Sequence, residues 1–418
     1  MDFSTPPLAK ELADRTRIFV REKIIPFEKD PRWGAHGPSD EMRIEMNDLA
    51  REAGLFMPHG PREYGGLGLN MVERAFVFEA AGYSMLGPVA MHCAAPDEGN
   101  THLLDVVASP EQRDRYLGPL TRGARSCFAM TEPDGAGSDP SLLATTARHT
   151  GKGYVINGRK WFITGARGAD FMIIMARITG GPHDGEATMF LTPLPREGVV
   201  LVKEQNSMDS SFTGGHAVVE FHDLVLQEED ILGAPGKGFE YAQVRLAPAR
   251  LTHCMRWLGA AQRAQDIAAD HATRRMAFGK PLASHEGVSF MLADSEMEMR
   301  SARLSMLQAC WLLDQGMRAT TESSMAKVQC SETVWNVVDR AVQILGGQGM
   351  TDDTIVNRIF RDIRAFRIYD GPSEVHRWSI GRKVAKAIKG ISEQRRDFHA
   401  IILAGITGDL ALKQQSFS

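Results

Sequence analysis

The stretch from Arg361 to Arg377 reads Arg-Asp-Ile-Arg-Ala-Phe-Arg-Ile-Tyr-Asp-Gly-Pro-Ser-Glu-Val-His-Arg. It places one carboxylate, Asp370, between a basic amphipathic segment and the start of a new helix. Gly371 tolerates a sharp turn, and Pro372 suits the first turn of a helix, where its missing N–H is not needed. Unpaired N–H groups and the helix dipole favour an anionic side chain at such a place. Two readings are open: Asp370 caps the helix, the commoner role of Asp there, or it accepts a proton from a bound substrate.

Four other stretches carry residue types suited to a ligand. Phe128-Ala129-Met130-Thr131-Glu132-Pro133-Asp134-Gly135-Ala136-Gly137-Ser138-Asp139 is a tight run of small residues whose backbone N–H groups and hydroxyls can meet a close-lying ligand. Trp161-Phe162-Ile163-Thr164 offers an aromatic face and a hydroxyl at a strand end, fit for a flat heteroaromatic ring with polar edges. Arg274-Arg275-Met276-Ala277-Phe278-Gly279-Lys280 sets cations at a helix end, where phosphates can be met. Gln343-Ile344-Leu345-Gly346-Gly347-Gln348-Gly349 ends a helix in glycines that can cradle a pyrophosphate. Each has an ordinary structural reading as well: a turn, a buried strand, a basic last turn and a glycine cap.

The elements that must position these residues change character along the chain. Apolar residues recur at helical spacing from Leu8 to about Phe27, from Asp40 to Ala53 and from Met71 to Gly82, so the first 120 or so residues read as all helical. After Pro119 and Gly123 the period falls to about two. Tyr154-Val155-Ile156, Asn157-Gly158 and Arg159 to Thr164 predict a hairpin with a type I′ turn. Further short strands fit Phe171 to Arg177, Thr188 to Thr192, Val199 to Lys203 and His216 to Phe221, which predicts an antiparallel barrel or sandwich. From Phe239 long helical patterns return: to Phe278 with a possible break at Pro248, then Val288 to Leu313, Thr321 to Leu345 and Ser373 to Ile388, a four-helix bundle. The fold class is therefore mainly α with a central β domain. The expected domains are 1–124, 125–237 and 238–392, with a tail over 393–418.

Composition narrows the function classes. With 43% hydrophobic and 24% charged residues over 418, and a formal net charge of −4, the chain reads as globular, without the basic field that nucleic acid requires. No apolar run is long enough to span a bilayer. Five cysteines without regular spacing suggest buried thiols in a reducing compartment, and no secretory signal precedes the first helix. The expected location is cytoplasmic, and no metal site is expected. Most of the 21 methionines fall in apolar helical stripes and read as core filler.

Taken together, the motifs resemble the acyl-CoA dehydrogenases, a flavoprotein family, over about residues 8 to 390. The family's T-E-P-x-A-G-S-D loop matches Thr131 to Asp139 with Asp134 inserted, and its aromatic-Ile-Thr strand matches Phe162 to Thr164. Its R-x-x-F-G-K run is Arg275 to Lys280, its Q-I-x-G-G-x-G run is Gln343 to Gly349, and its Tyr-Glu-Gly-Thr loop is here Tyr369-Asp370-Gly371-Pro372. Asp370 stands where most of the family has glutamate, a loss of about 1.3 Å of reach on ordinary bond lengths. A misplacement of that order can cost about 100-fold in rate. The form Asp-Gly-Pro-x-Glu-Val-His is similar to the branch containing acyl-CoA dehydrogenase family members ten and eleven, and nitroalkane oxidase shares the fold and an aspartate base. Some relatives carry the base just before the helix arginine that Arg250 resembles, where this chain has Ala249.

The resemblance implies FAD as cofactor and Asp370 as catalytic base. It implies flavin-ring contacts from Phe128, Met130, Thr131, Phe162, Ile163 and Thr164, and holding of the ADP part by Arg275, Phe278 and Gln343, Ile344, Leu345, Gly346, Gly347 of a neighbouring subunit. Pro372, Ser373 and Glu374 join the cofactor residues, while Ser138, Arg250 and Gly371 face the acyl-CoA. Ala277, Glu286, Pro372 and Glu374 depart from residues common in the family. The implied reaction is α,β-dehydrogenation to a trans-2-enoyl-CoA, with an electron-transfer flavoprotein as electron acceptor and a homotetramer or homodimer as the assembly. The alternatives are an oxidase of nitroalkanes or acyl-CoA on the same fold, and a catalytically silent flavin-binding assembly protein.

Overall fold

The computed structural model describes residues 4–388; the expected tail lies outside them. The N-terminal part is helical where the periodicity predicts it. α1 (Pro7–Phe19) opens on a proline. α2 (Asp40–Glu52) is capped by the Ser39 hydroxyl, which accepts from the Met42 N–H, and α3 (Met71–Gly82) opens on a reciprocal capping box between Asn70 and Glu73. α4 (Asp97–Val107) follows. A two-residue ribbon, Trp33–Gly34 against Gly37–Pro38, departs from the all-helical expectation.

Seven strands form the middle: β1 (Ser126–Ala129), β2 (Thr146–His149), β3 (Tyr154–Thr164), β4 (Phe171–Thr179), β5 (Ala187–Pro193), β6 (Val199–Gln205) and β7 (His216–Leu226). Their order is β1-β4-β2-β3-β7-β6, with β5 paired to β4. The sheet is mixed, not purely antiparallel as expected, because β1 and β2 both run parallel to β4. Parallel partners are distant in sequence, so no local turn signal announces them. β4 explains the continuous apolar run there. Its Met172, Ile174 and Ala176 enter one core cluster, and Phe171, Ile173 and Met175 enter another on the opposite face.

The hairpin expected at Asn157-Gly158 does not form. Tyr154 to Thr164 is one strand, pairing along β7 with register shifts after Ile156 and after Lys160. The Asn157 side chain is taken by Asp223: its Nδ2 donates to the Asp223 carboxylate and its Oδ1 accepts the Asp223 N–H, both at 2.9 Å. Gly158 is needed for close approach, since a Cβ there would lie 2.5 Å from the Thr145 hydroxyl. Non-local pairing has overridden the turn preference and left a bulge.

The C-terminal part contains α5 (Gly238–Arg274), α6 (Glu286–Asp314), α7 (Thr320–Leu345), α8 (Val356–Ile363) and α9 (373–388). Pro248 does not break α5. A proline inside a helix costs about 3 kcal/mol, but Leu251, Met255 and Leu258 one to three turns on are fully buried, at about 1.5–3 kcal/mol each. The helix ends at Arg274, so Phe278 lies beyond it, in the turn between Met276–Ala277 and Lys280–Pro281. One apolar core runs through α1, α2, α3, α5, α6, α7 and α8, joining the first and last thirds of the chain. All five cysteines are buried. No helix among the described residues is long and apolar enough to cross a membrane.

Trp33, the loop before β7 and α8 meet at one junction. The Trp33 indole N–H donates to the Ser210 carbonyl, the Arg358 guanidinium lies 3.5 Å over the indole, and Asp362 accepts the Ser210 N–H at 3.0 Å. Burial pushes the Asp362 carboxyl up from 3.8 to about 7. The folded chain therefore holds this proton more tightly than the unfolded chain. Its contribution to stability is full below about pH 4 and is lost as pH rises through about 7, on the order of 4 kcal/mol in all. Asp362→Asn is expected to flatten the fall in melting temperature between pH 5 and 8.5; an unchanged slope would exclude Asp362 as its source.

Candidate active site

Asp370 does not cap α9. Pro372 holds that place, its carbonyl accepting the His376 N–H, and Asp370 sits two residues earlier with a left-handed φ of 53°. Such a backbone in a non-glycine residue costs roughly 1–3 kcal/mol and persists only where the surroundings impose it. Here they do. Arg250 Nε donates to the Asp370 carbonyl at 3.0 Å, the His376 Nε2–H donates to the same oxygen at 3.1 Å, and Lys327 Nζ donates to the Gly371 carbonyl at 2.7 Å. Gly371 has a φ of 96°, and a Cβ there would lie 2.6 Å from His376 Nε2, so glycine is required.

These clamps act on main-chain atoms and leave the carboxylate itself unused. The side chain is 16% exposed, and its buried Oδ2 has no hydrogen-bond partner. Nε2 of His253 faces it at 3.4 Å. The Arg256 guanidinium donates to His253 Nδ1 at 3.0 Å, so the ring proton of a neutral His253 is on Nε2. Burial, with Arg256 and Arg245 nearby, pushes the His253 imidazole far below its ordinary range, and the contact is not an ion pair. Arg245, Arg250 and Lys327 all feel the Asp370 charge; burial lowers each of them against it, Lys327 to about 8.

A second group of residues forms a shelf on the sheet. The shift in register after Lys160 turns Phe162 outward with a φ of 50°, 48% exposed, its N–H held by the Gln205 side chain at 2.8 Å. Bulges commonly re-aim a side chain next to a site. Trp161 packs edge-on against Phe162, and its N–H donates to the Thr131 carbonyl, bringing the loop after β1 alongside. Phe128, Met130, Thr131 and Thr164 are half-buried here, and Ile163 is buried.

The loop is stapled from below. Glu132 accepts from Lys160 Nζ at 2.8 Å and from the Ala144 and Thr145 N–H groups, and Lys160 also donates to the Met130 carbonyl. Burial alone would raise the Glu132 carboxyl, but the Lys160 ammonium outweighs it and holds it down at about 2. The Thr164 hydroxyl contacts His216 Nδ1 at 2.9 Å, and His216 Nε2 contacts Asp209 at 2.8 Å. Burial pushes Asp209 up, but hydrogen bonds from His216 and Ser207 more than offset it and keep the carboxyl below its ordinary range.

One side chain links the shelf to the carboxylate. The Arg245 guanidinium lies 4.3 Å from the Phe128 ring while sensing Asp370. A small cavity between the loop before β7 and α5 is lined by Ser211, Phe212, His253, Arg256 and Trp257. The shelf and the carboxylate thus share Arg245 as a neighbour.

Compared with known proteins, the chain matches the acyl-CoA dehydrogenase N-terminal domain over residues 7–124, the middle domain over 127–223 and the C-terminal domain over 236–385. The chain belongs to the acyl-CoA dehydrogenase family. It is 36% identical over 396 residues to the probable acyl-CoA dehydrogenase FadE2 of Mycobacterium tuberculosis, covering 91% of this chain and 96% of that one. It is 33% identical to acyl-CoA dehydrogenase family member 10 of Mus musculus, covering 91% of this chain but 37% of that protein. It spans about half or less of the length of the family members 10 and 11 it matches. The structure of butyryl-CoA dehydrogenase from Megasphaera elsdenii superimposes with a TM-score of 0.82 at 27% identity, over 92% of this chain and 100% of that one.

The other expected residues of this chain divide between exposed positions and buried ones. Arg275 is exposed and Phe278 is 96% exposed with a φ of 50°. Gln343, Gly346 and Gly347 are exposed at the end of α7, while Ile344 and Leu345 are buried. Ser138 is exposed on the loop after β1, and Glu374 is exposed on α9. Ser373 is fully buried, its hydroxyl 3.4 Å from that of Ser331. Arg250 reaches the Asp370 main chain.

Sequence reasoning missed Lys327, Lys160, Arg245 and the Asp209–His216 pair. Lys327 had a signal: it shares the apolar face of α7 with Ser323, Ala326, Cys330 and Val334, and is fully buried. A lysine on a core stripe is rare without a partner. Lys160 falls on the inward face of β3 by simple alternation with Tyr154 and Ile156. Asp209 and His216 carried none, because their bond depends on how the intervening loop closes.

Proposed function

We propose that this chain is an FAD-dependent acyl-CoA dehydrogenase in which Asp370 takes the α-proton of an acyl-CoA thioester and a trans-2-enoyl-CoA results. The Asp370 carboxylate carries the reading: its buried Oδ2 has no hydrogen-bond partner, while the bonds that hold the residue go to carbonyl oxygens. A carboxylate kept out of structural bonds is available as a general base, a role worth about 10²–10⁴ in rate. Arg245, Arg250 and Lys327 each interact with the Asp370 charge, so the base stands in a positively charged surround.

The residues present fit the family's cofactor: an exposed aromatic face at Phe162, half-buried Phe128 and Met130, and hydroxyls at Thr131 and Thr164 suit a flat ring with polar edges. FAD bound there supplies the acceptor for the hydride that leaves the β-carbon. Its ADP part would be held by Arg275, Phe278 and Gln343 to Gly347 of a second copy, with Pro372, Ser373 and Glu374 as further cofactor residues. Exposure of Arg275, Phe278, Gln343, Gly346 and Gly347 supports a second copy. So does an exposed stripe on α6, Phe290, Met297, Leu304 and Trp311, at seven-residue spacing. Ser138, exposed on the loop after β1, would meet the acyl-CoA. An electron-transfer flavoprotein is the proposed acceptor of the electrons.

The test is an anaerobic titration of the FAD-loaded protein with acyl-CoAs of different length and substitution. Loss of the flavin absorbance with at least one of them, followed by slow recovery in air, is expected. No bleaching with any acyl-CoA would sink the reading, and rapid reoxidation by oxygen would make the chain an oxidase.

A further inference from the structure

We infer that Asp209 and His216 are positioning residues: they fix the direction of the Thr164 hydrogen bond, and through it bias a flavin bound on the shelf toward its reduced form. The inference rests on the flavin reading above.

Thr164 and His216 face each other as cross-strand partners in β3 and β7. Thr164 Oγ1 lies 2.9 Å from His216 Nδ1, and His216 Nε2 lies 2.8 Å from Asp209 Oδ2. Asp209 is buried, and its second oxygen accepts from the Ser207 hydroxyl. The Phe162 and Phe212 rings flank the imidazole, with centroids at 6.2 and 5.7 Å.

A carboxylate only accepts hydrogen bonds, so Nε2 must carry a proton to meet it. A ring with a single proton then presents Nδ1 as a bare acceptor, and the hydrogen that fills the 2.9 Å contact is the one on the Thr164 hydroxyl. That hydroxyl therefore donates inward and turns its lone pairs toward the shelf. The middle ring of a flavin has a bare acceptor nitrogen when oxidised and an N–H there when reduced. An outward lone pair on Thr164 can bond the reduced edge and has nothing to offer the oxidised one. A hydroxyl free to rotate would serve either.

The test is Asp209→Asn in the FAD-loaded protein at pH 8. The new amide can donate to Nε2, which moves the ring proton to Nδ1 and turns the Thr164 hydrogen outward, as replacement of the buried aspartate does in a Ser-His-Asp triad. The preference of the protein for reduced over oxidised flavin is expected to fall about tenfold, roughly 30 mV in the midpoint potential of a two-electron couple. In a Thr164→Val background the same substitution should leave the potential unmoved. An equal drop in both backgrounds, or no drop with Thr164 present, would overturn the inference.

Nitrogen NMR of the ring in the unaltered FAD-loaded protein gives a check that does not depend on the variant folding. A proton on Nε2 and a bare Nδ1 are expected at pH 8. A ring protonated on Nδ1, or on both nitrogens, would overturn the inference. An unaltered protein that fails to retain FAD removes the flavin reading itself, and is recognised beforehand by its lack of visible absorbance.

Discussion

Asp370→Asn is expected to leave the fold and FAD retention intact and to lower the rate of flavin reduction by an acyl-CoA by about three orders of magnitude, within the range for a lost general base. The fold should survive because Arg250 and His376 hold the main-chain carbonyl, which the substitution does not touch. No structural hydrogen bond is lost at Oδ2 either. The amide cannot take the proton. Asp370→Glu is the companion: it restores the basicity but adds a methylene beside His253, already 3.4 Å away. A misplaced base commonly loses about 100-fold. Rapid-mixing measurements under anaerobic conditions check both, and a rate unchanged in Asp370→Asn would remove the residue from the mechanism.

Lys160→Met should be the most damaging substitution away from the chemistry. It leaves Glu132 charged in the interior, where breaking a buried pair from one side costs about 3–5 kcal/mol. The loss also frees the Met130 carbonyl and loosens the loop that carries Thr131. Early melting of the sheet and weak FAD retention are therefore expected together. Adding Glu132→Gln to Lys160→Met should recover part of the stability, because the stranded charge is gone while an amide oxygen can still accept from Ala144 or Thr145. Calorimetry and FAD retention on gel filtration read the two effects. A double variant no better than the single one would mean that packing, not charge, makes Lys160 indispensable.

Both predictions turn on residues that were unequally visible beforehand. Asp370 could be picked out because glycine and proline follow it, and local backbone chemistry is written in adjacent residues. The helices were legible for the same reason: Ser39 and Asn70 cap α2 and α3 where the periodic pattern begins. Phe162 and Thr164 stood out by type. Lys160 and Lys327 were within reach through strand alternation and helical spacing, but their polarity hid them among surface residues.

The amino-acid order by itself determined the helix–strand–helix sequence, the strand segments of the sheet beyond residue 154 and the candidate base. Those depend on spacing of two to four residues and on glycine, proline and caps. The tertiary structure decided that Asn157-Gly158 is a bulge, that β4 has parallel neighbours, and that Pro248 stays within a helix. It also decided that the carboxylate of Asp370 is free because Arg250, His376 and Lys327, from three separate helices, hold the backbone around it. Such contacts form only when chain segments far apart are brought together by burial of their apolar faces, and that energy has no local imprint on the sequence.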